Sequence, residues 1–316
     1  MKEESNEILV SILRILDKAG FTISQVDSDY CLEIVAKKGS VKLLIKTLEN
    51  VDNERKESAE DLRSMAVTFS ASPLVIGSRV QKGVIGESAL YERFGINVIS
   101  PKTFRDAALR GKFPPVYYKR GGLYFRIDGE VLRRFRKERG MSLGVLANRI
   151  GVSRKAVYDY ENSKMGATLK TVARMEEVLD AGVTMDIDIF DWRCDEEPPE
   201  KSPAGAVAQQ LYNKLNKIGC KAIGFNYAPI DVHARNVGVS FLAHEERFSE
   251  RELDRKVADA LEVGKLLEIE PILITKDVRP KGLNIMILRI DDIRKLEKLG
   301  DLERLLSLDT TNNVDN

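Results

Sequence analysis

Ser142-Leu143-Gly144-Val145-Leu146-Ala147-Asn148-Arg149-Ile150-Gly151-Val152-Ser153-Arg154-Lys155-Ala156-Val157-Tyr158-Asp159-Tyr160-Glu161-Asn162 is the stretch that decides how this chain of 316 residues is read. Ser142 can cap a helix from Leu143 to Ile150, Gly151 supplies the left-handed backbone of a tight turn, and Ser153 can cap a second helix to about Glu161. Leu146, Ala147 and Ile150 share one face of the first helix, and Val157 and Tyr160 form the inward face of the second. Ala147 is small enough to let the two backbones cross closely. Arg154, Lys155, Tyr158 and Asp159 are left facing outward. On either side, an amphipathic helix from Val131 to Arg139 ends at Gly140. Another, Leu169 to Leu179, follows Thr168 and stops near Gly182, so the segment can close a small helical core.

Two short helices around a glycine turn form a helix-turn-helix, and this one resembles the lambda-repressor and Cro class, the XRE family. The resemblance rests on Leu132-Arg133-Arg134-Phe135-Arg136-Lys137-Glu138-Arg139-Gly140-Met141-Ser142, Leu146-Ala147, Gly151-Val152-Ser153, Val157 and Tyr160-Glu161-Asn162, and covers roughly 55 residues. It implies a central five-helix, lambda-repressor-like domain over 119–194 that binds double-stranded DNA. It also implies a structural ion pair, Arg136 with Glu161. The second helix would enter the major groove, with Arg154 and Lys155 nearest base edges and Asp159 one turn on. Arginine can grip guanine through two bonds, and an aspartate can accept from cytosine. Ser142 and Ser153, at helix starts, would sit against phosphates. Tyr158, Lys164, Arg133 and Arg134 complete the expected DNA-contact set. Leu143 stands where many members carry Gln, and Ser163 where Gly usually follows Asn. The bland alternative is a solvated surface on a helical protein-interaction domain.

Charge bears on that choice. The whole chain has a net charge of +1, yet between Pro101 and Lys164 sixteen Lys and Arg stand against six Asp and Glu. A basic block centred on a helix-turn-helix is the footprint expected of phosphate binding. Arg133, Arg134, Lys137 and Arg139 crowd the first helix, and Lys119, Arg120 and Arg126 approach from upstream.

The length suggests two or three domains. No apolar run approaches the eighteen or so residues needed to span a bilayer, and Met1-Lys2-Glu3-Glu4-Ser5-Asn6-Glu7 is unlike a signal peptide. A cytoplasmic, nucleoid-associated protein is expected. Cys31, Cys194 and Cys220 are widely spaced with no CxxC, which argues against a zinc site or disulfide framework. Pro114-Pro115 and Lys119-Arg120-Gly121-Gly122 mark the end of an N-terminal α/β domain at 118. Asp195 to Pro203 reads as an acidic, proline-rich linker, followed by a C-terminal α/β domain over 204–308 and a disordered tail over 309–316.

The two flanks read as versions of one another. The first gives a helix over 5–19, strands at 21–26, 31–36 and 41–46, a helix over 54–69, strands at 74–77 and 96–99, and a helix from Pro101. The second gives a helix over 204–218, strands near 220–226, 230–234 and 237–243, a helix over 249–267, strands at 271–274 and 284–288, and a helix from Asp291. Ser72-Pro73-Leu74-Val75-Ile76 resembles Glu270-Pro271-Ile272-Leu273-Ile274, although chance agreement of independent α/β domains stays open. The element order is also that of the restriction-endonuclease-like fold, whose nucleases hold magnesium with a strand acid and a Glu-x-Lys pair. Here Lys46 follows Leu44 rather than Glu at the second position before it, Cys31 and Glu33 offer no second acid, and Asp231 stands without a Glu-x-Lys in Phe241-Leu242-Ala243-His244. A metal held by one carboxylate is weakly bound, so the flanks read as degenerate nuclease folds and the protein as a non-enzyme with no cofactor.

His233 and His244 lack a Ser, Cys or carboxylate set for catalysis. The glycines from Gly77 to Gly86 lack phosphate-loop spacing. The layout as a whole, with Leu43-Leu44-Ile45-Lys46 and Tyr91-Glu92-Arg93-Phe94-Gly95-Ile96, resembles a family of archaeal helix-turn-helix transcriptional regulators. That resemblance implies a DNA-binding regulator acting as a homodimer, with flanks for assembly, added backbone contact or sensing of an unidentified effector. Two alternatives stay open: a non-specific architectural, chromatin-like DNA binder, and a DNA-processing protein on a nuclease fold. No membrane partner is expected.

Overall fold

In the computed structural model, residues 2–80, 83–119, 122–194, 197, 201–245, 248–276 and 284–312 are described. Helix α1 (Lys2–Lys18) leads into strands β1 (Thr22–Gln25), β2 (Ile34–Lys38) and β3 (Val41–Asn50), then helix α2 (Lys56–Phe69). Strands β4 (Ser72–Val80), β5 (Gly83–Val84), β6 (Ala89–Arg93) and β7 (Ile96–Ile99) precede helix α3 (Pro101–Arg110). Strands β8 (Val116–Lys119) and β9 (Gly122–Ile127) are followed by helices α4 (Gly129–Glu138), α5 (Leu143–Ile150), α6 (Arg154–Glu161) and α7 (Leu169–Leu179), and by strand β10 (Thr184–Met185). The last part comprises α8 (Ala206–Lys217), β11 (Ala222–Gly224), β12 (Val232–Ala234), β13 (Val239–Ala243), α9 (Glu250–Leu267), β14 (Pro271–Thr275), β15 (Met286–Arg289), α10 (Ile290–Lys295) and α11 (Leu299–Asn312).

Contacts in space divide the chain into two compact units that do not follow its linear order. One comprises residues 1–19, 47–53 and 74–191; the other comprises 20–46, 54–73 and 192–316. The N-terminal flank therefore contributes to both. The acidic linker expected at 195–203 falls largely outside the described residues, as do 313–316 of the expected tail; residues 309–312 are instead the last turn of α11.

In the first unit β4 pairs in parallel with β7, β7 antiparallel with β6, β6 in parallel with β8, and β8 antiparallel with β9, which takes β10 on its far side. Ile12, Leu16, Phe104 and Ala107 bury the apolar faces of α1 and α3. Ser100 starts α3 by accepting the amide of Thr103 with Pro101 at the first turn, and Gly111 ends it with φ +62°. The sheet runs on into the helix-turn-helix, because the stretch read as a boundary at 114–122 supplies β8 and the start of β9.

The second unit contains the antiparallel ladder β1, β2 and the first half of β3, together with α2. It also contains a five-stranded sheet ordered β11-β12-β13-β14-β15, covered by α8 to α11. Helix α9 begins with a full capping box, Ser249 and Glu252, and packs Leu253, Val257, Ala260 and Val263 inward. The Ser24 hydroxyl on β1 donates to the Glu262 carbonyl of α9 at 3.2 Å.

The two flanks share an order of elements. In each, a helix precedes an antiparallel β-meander, a second helix crosses over, and two parallel strands follow: β4 with β7, and β14 with β15. The first flank differs by inserting β5 and β6 between its parallel strands.

The described residues of the central segment hold four helices, not five. After α7 the chain turns at Asp180, in the left-handed region at φ +43°, not at Gly182. Val183 is then buried, and Thr184 and Met185 pair with Ile127 and Arg126 of β9. That ladder draws the chain into an extended conformation. Asp188 then accepts the amide of Phe190 in a local turn, a side-chain contact that competes with helix.

Candidate nucleic-acid interface

The helical core is built from the apolar spacing of its sequence. Leu146, Ala147 and Ile150 of α5 and Val157 and Tyr160 of α6 are buried with Ile127, Leu132, Val172, Met175 and Leu179. The helix starts are set by side-chain caps: Asp128, Ser142, Ser153 and Thr168 accept the amides of Val131, Val145, Ala156 and Thr171. Each such cap contributes about 1 kcal/mol. Gly151 has φ +74° and carries the turn between α5 and α6. Gly129 fits against the end of α6, where a Cβ would come 2.5 Å from the Glu161 carbonyl oxygen.

Arg136 and Glu161 form the buried ion pair that the family resemblance implies. The Arg136 Nη2 donates to Glu161 Oε2 at 3.0 Å and its Nη1 to the Met141 carbonyl at 2.7 Å. Glu161, bonded to it, holds the guanidinium still more firmly in its charged form. Arg133, read as a DNA contact, also turns inward: its guanidinium donates to Glu161 Oε2 at 3.3 Å, to the Glu161 carbonyl at 3.1 Å and to Asn162 Oδ1 at 3.2 Å. Two arginines thus fix the end of α6 to α4, and sequence spacing gave no sign of the second.

The outward side of α6 is different. Arg154, Lys155 and Tyr158 are exposed, Tyr158 by 50 %, and Asp159 is half-buried. No hydrogen bond or ion pair ties the Arg154 or Lys155 side chains to another described residue. Lys164 lies 5.7 Å over the Tyr158 ring, a cation–π contact beside the helix end. Ser163 takes φ +53°, so the position usually held by glycine is left-handed here too. Arg134 is exposed and stacks its guanidinium 4.9 Å from the Phe135 ring centre. Ser142 and Ser153 use their hydroxyls as caps, so an anion at either helix start would meet backbone amides.

The family model described as helix-turn-helix matches residues 132–184, and that of the PD-(D/E)XK superfamily domain matches residues 5–114, from α1 through α3. Proteins similar along nearly the whole chain come from Thermococcus kodakarensis (30 % identical over 306 residues, 96 % of this chain and 95 % of that protein), Methanocaldococcus jannaschii (30 % over 303 residues, 94 % and 95 %) and Thermococcus gammatolerans (29 % over 306 residues, 96 % of each). Each carries the provisional heading of HTH-type transcriptional regulatory protein. The chain belongs to this family. It is a DNA-binding transcriptional regulator in which an XRE-type module is joined to a nuclease-superfamily domain. A solved chain of the SinR protein/SinI protein complex is 28 % identical over 18 % of this chain and 55 % of its own, with a TM-score of 0.17.

The strand charges weighed as metal-site candidates hold structure together. Lys46 donates to the carbonyls of Ser28 at 2.6 Å and Tyr30 at 2.9 Å and lies 3.5 Å from Glu33. Asp231 accepts the Ala243 amide at 2.7 Å and pairs with Lys256 at 2.6 Å. Among the described residues no group of three His, Cys, Asp or Glu side chains is placed to hold a metal ion. His233 and His244 form no catalytic pair: His233 Nδ1 meets Ser240 Oγ at 2.8 Å, and the His244 amide donates to the Ile274 carbonyl. Cys31, Cys194 and Cys220 are not joined in disulfides, and no described helix is long and apolar enough to cross a membrane.

Proposed function

We propose that this regulator places α6 in the major groove, with Arg154 and Lys155 reading base edges, Asp159 one turn on, and the amide ends of α5 and α6 at Ser142 and Ser153 against phosphates. The observation that carries this is the division of α6. Val157, Tyr160 and Glu161 are committed to the core, while the side chains of Arg154, Lys155 and Tyr158 reach solvent without a hydrogen-bonding partner among the described residues. Unpaired cations at the start of a rigid helix suit a polyanion, and arginine adds bidentate recognition of guanine. Arg134 and Lys164 would add backbone contact, while Arg133 serves the scaffold through Glu161.

One helix-turn-helix reads few base pairs, so a homodimer presenting two such helices about one DNA turn apart is the working form. The flanks derive from one ancestral nuclease-like domain that has lost its metal site and now serves assembly, backbone contact or effector sensing. Their common order of helix, antiparallel meander, crossover helix and parallel pair supports this descent. The decisive experiment is genome-wide mapping of bound DNA. Sharp peaks sharing a sequence motif are expected; broad coverage without a motif would replace the reading with the architectural binder that the basic block between Pro101 and Lys164 also fits.

A further inference from the structure

We propose that Arg126 on β9 and Lys164 just after α6 together grip the DNA backbone at the C-terminal end of the recognition helix. The β8–β9–β10 sheet would then be a second phosphate-contact surface, and this rests on α6 entering the groove. Strand register places the residues. β8 and β9 pair Tyr117 with Tyr124 and Lys119 with Gly122, so Tyr117, Lys119, Tyr124 and Arg126 share one face. The Tyr117 hydroxyl stands against Gly166 and leaves no room there for a Cβ, so this face abuts the loop that follows α6.

A backbone bridge makes the juxtaposition rigid. Phe125 and Ala167 exchange two hydrogen bonds, Phe125 N–H to the Ala167 carbonyl at 2.8 Å and the reverse at 3.0 Å. Arg126 follows Phe125, and Lys164 lies three residues before Ala167, a span of at most roughly 10 Å of chain. Both are exposed. The Arg126 guanidinium makes no hydrogen bond or ion pair with a described residue, although exposed Asp186 follows its cross-strand neighbour Met185. Lys119, on the same face, lies 3.5 Å from Glu92 and is thereby partly neutralised. A guanidinium held on a strand and left without a counter-charge matches a phosphate oxygen pair. Such a contact carries no sequence information; it sets how α6 sits in the groove.

The test uses the full-length protein and its Arg126→Gln, Lys164→Gln and Arg154→Ala variants. Affinity is measured across a salt series for a random-sequence duplex and for the duplex that the unmodified protein selects from a random pool. Arg126→Gln and Lys164→Gln should each lower the slope of log affinity against log salt by about 1. Each should weaken both duplexes by the same factor, keep the selected-to-random ratio, and leave the thermal transition in place. An unchanged slope in Arg126→Gln, or a loss confined to the selected duplex, would overturn the proposal. An unchanged ratio in Arg154→Ala would instead overturn the placement of α6, so the two failures are distinguishable.

Discussion

Charged side chains are used in opposite ways by the helix-turn-helix surface and by the two α/β flanks. On α6 and β9, Arg154, Lys155 and Arg126 stand exposed without an ion-pair partner among the described residues. In the flanks, charges at comparable points of the chain are satisfied by protein. Lys46 meets two carbonyls and Glu33, Asp231 meets Lys256 and an amide, and Asp61, with a side chain 0 % exposed, accepts Lys201 Nζ at 2.8 Å and the amides of Asn226 and Tyr227 at 2.6 and 2.7 Å. A charge with its partners already in the chain stabilises the fold; one held rigid without them is available to a ligand.

If that contrast holds, removing a satisfied charge destabilises the fold and removing a free one alters binding alone. The largest effect is expected at Asp61. Asp61→Asn leaves Lys201 without its counter-charge and puts an amide group among donors, at a cost of about 3 kcal/mol. A thermal transition that did not move would break the contrast at its strongest point.

Acid should reveal a similar effect at His233. Burial, with Arg235 adding to it, pushes its imidazole from 6.5 down to about 4. The unfolded chain therefore binds a proton below pH 6.5 that the folded chain refuses until about pH 4. This contribution to stability is intact above 6.5 and falls by up to about 3 kcal/mol as pH drops through that window. Denaturant midpoints measured across the range, alongside an NMR titration of the imidazole, check it; a ring titrating near 6.5 in the folded protein would contradict the prediction.

Smaller and opposite in kind is Arg154→Ala. It should lower discrimination between selected and random duplex by about 1–3 kcal/mol while leaving the thermal transition unchanged. Competition binding decides this, and a fall in stability with discrimination preserved would move Arg154 into the scaffold. The smallest effect is expected at Ser163, whose φ of +53° costs a residue with a Cβ more than it costs glycine. Ser163→Gly should stabilise the domain by about 0.5 kcal/mol, seen as a modest rise in its transition temperature, with DNA preference unaltered.

Much of this organisation was legible in advance where the information is short-range. The caps at Ser142 and Ser153, the turn at Gly151 and the apolar spacing of Leu146, Ala147, Ile150, Val157 and Tyr160 specify α5 and α6 within a few residues of themselves. The matching helices and strands of the two flanks were read from the same local patterns. Strands β5, β6, β8, β9 and β10 were missed because each is held extended by its sheet neighbours; Thr184 and Met185 have no strand signal apart from Ile127 and Arg126. The fifth helix that the family resemblance implies does not form among the described residues of the central segment.

The partners of charged groups were less legible, because a side chain's counter-charge is often distant in sequence. Arg136 and Glu161 were paired only through the family resemblance, and Arg133, one turn away on the same helix, gave no hint that it shares Glu161. The sequence alone determined the helix-turn-helix and its basic surroundings, since helix ends, glycine turns and apolar periodicity act over one or two turns of chain. Which cations are consumed by the fold and which remain free was decided by tertiary structure alone, because that depends on what folding brings beside them.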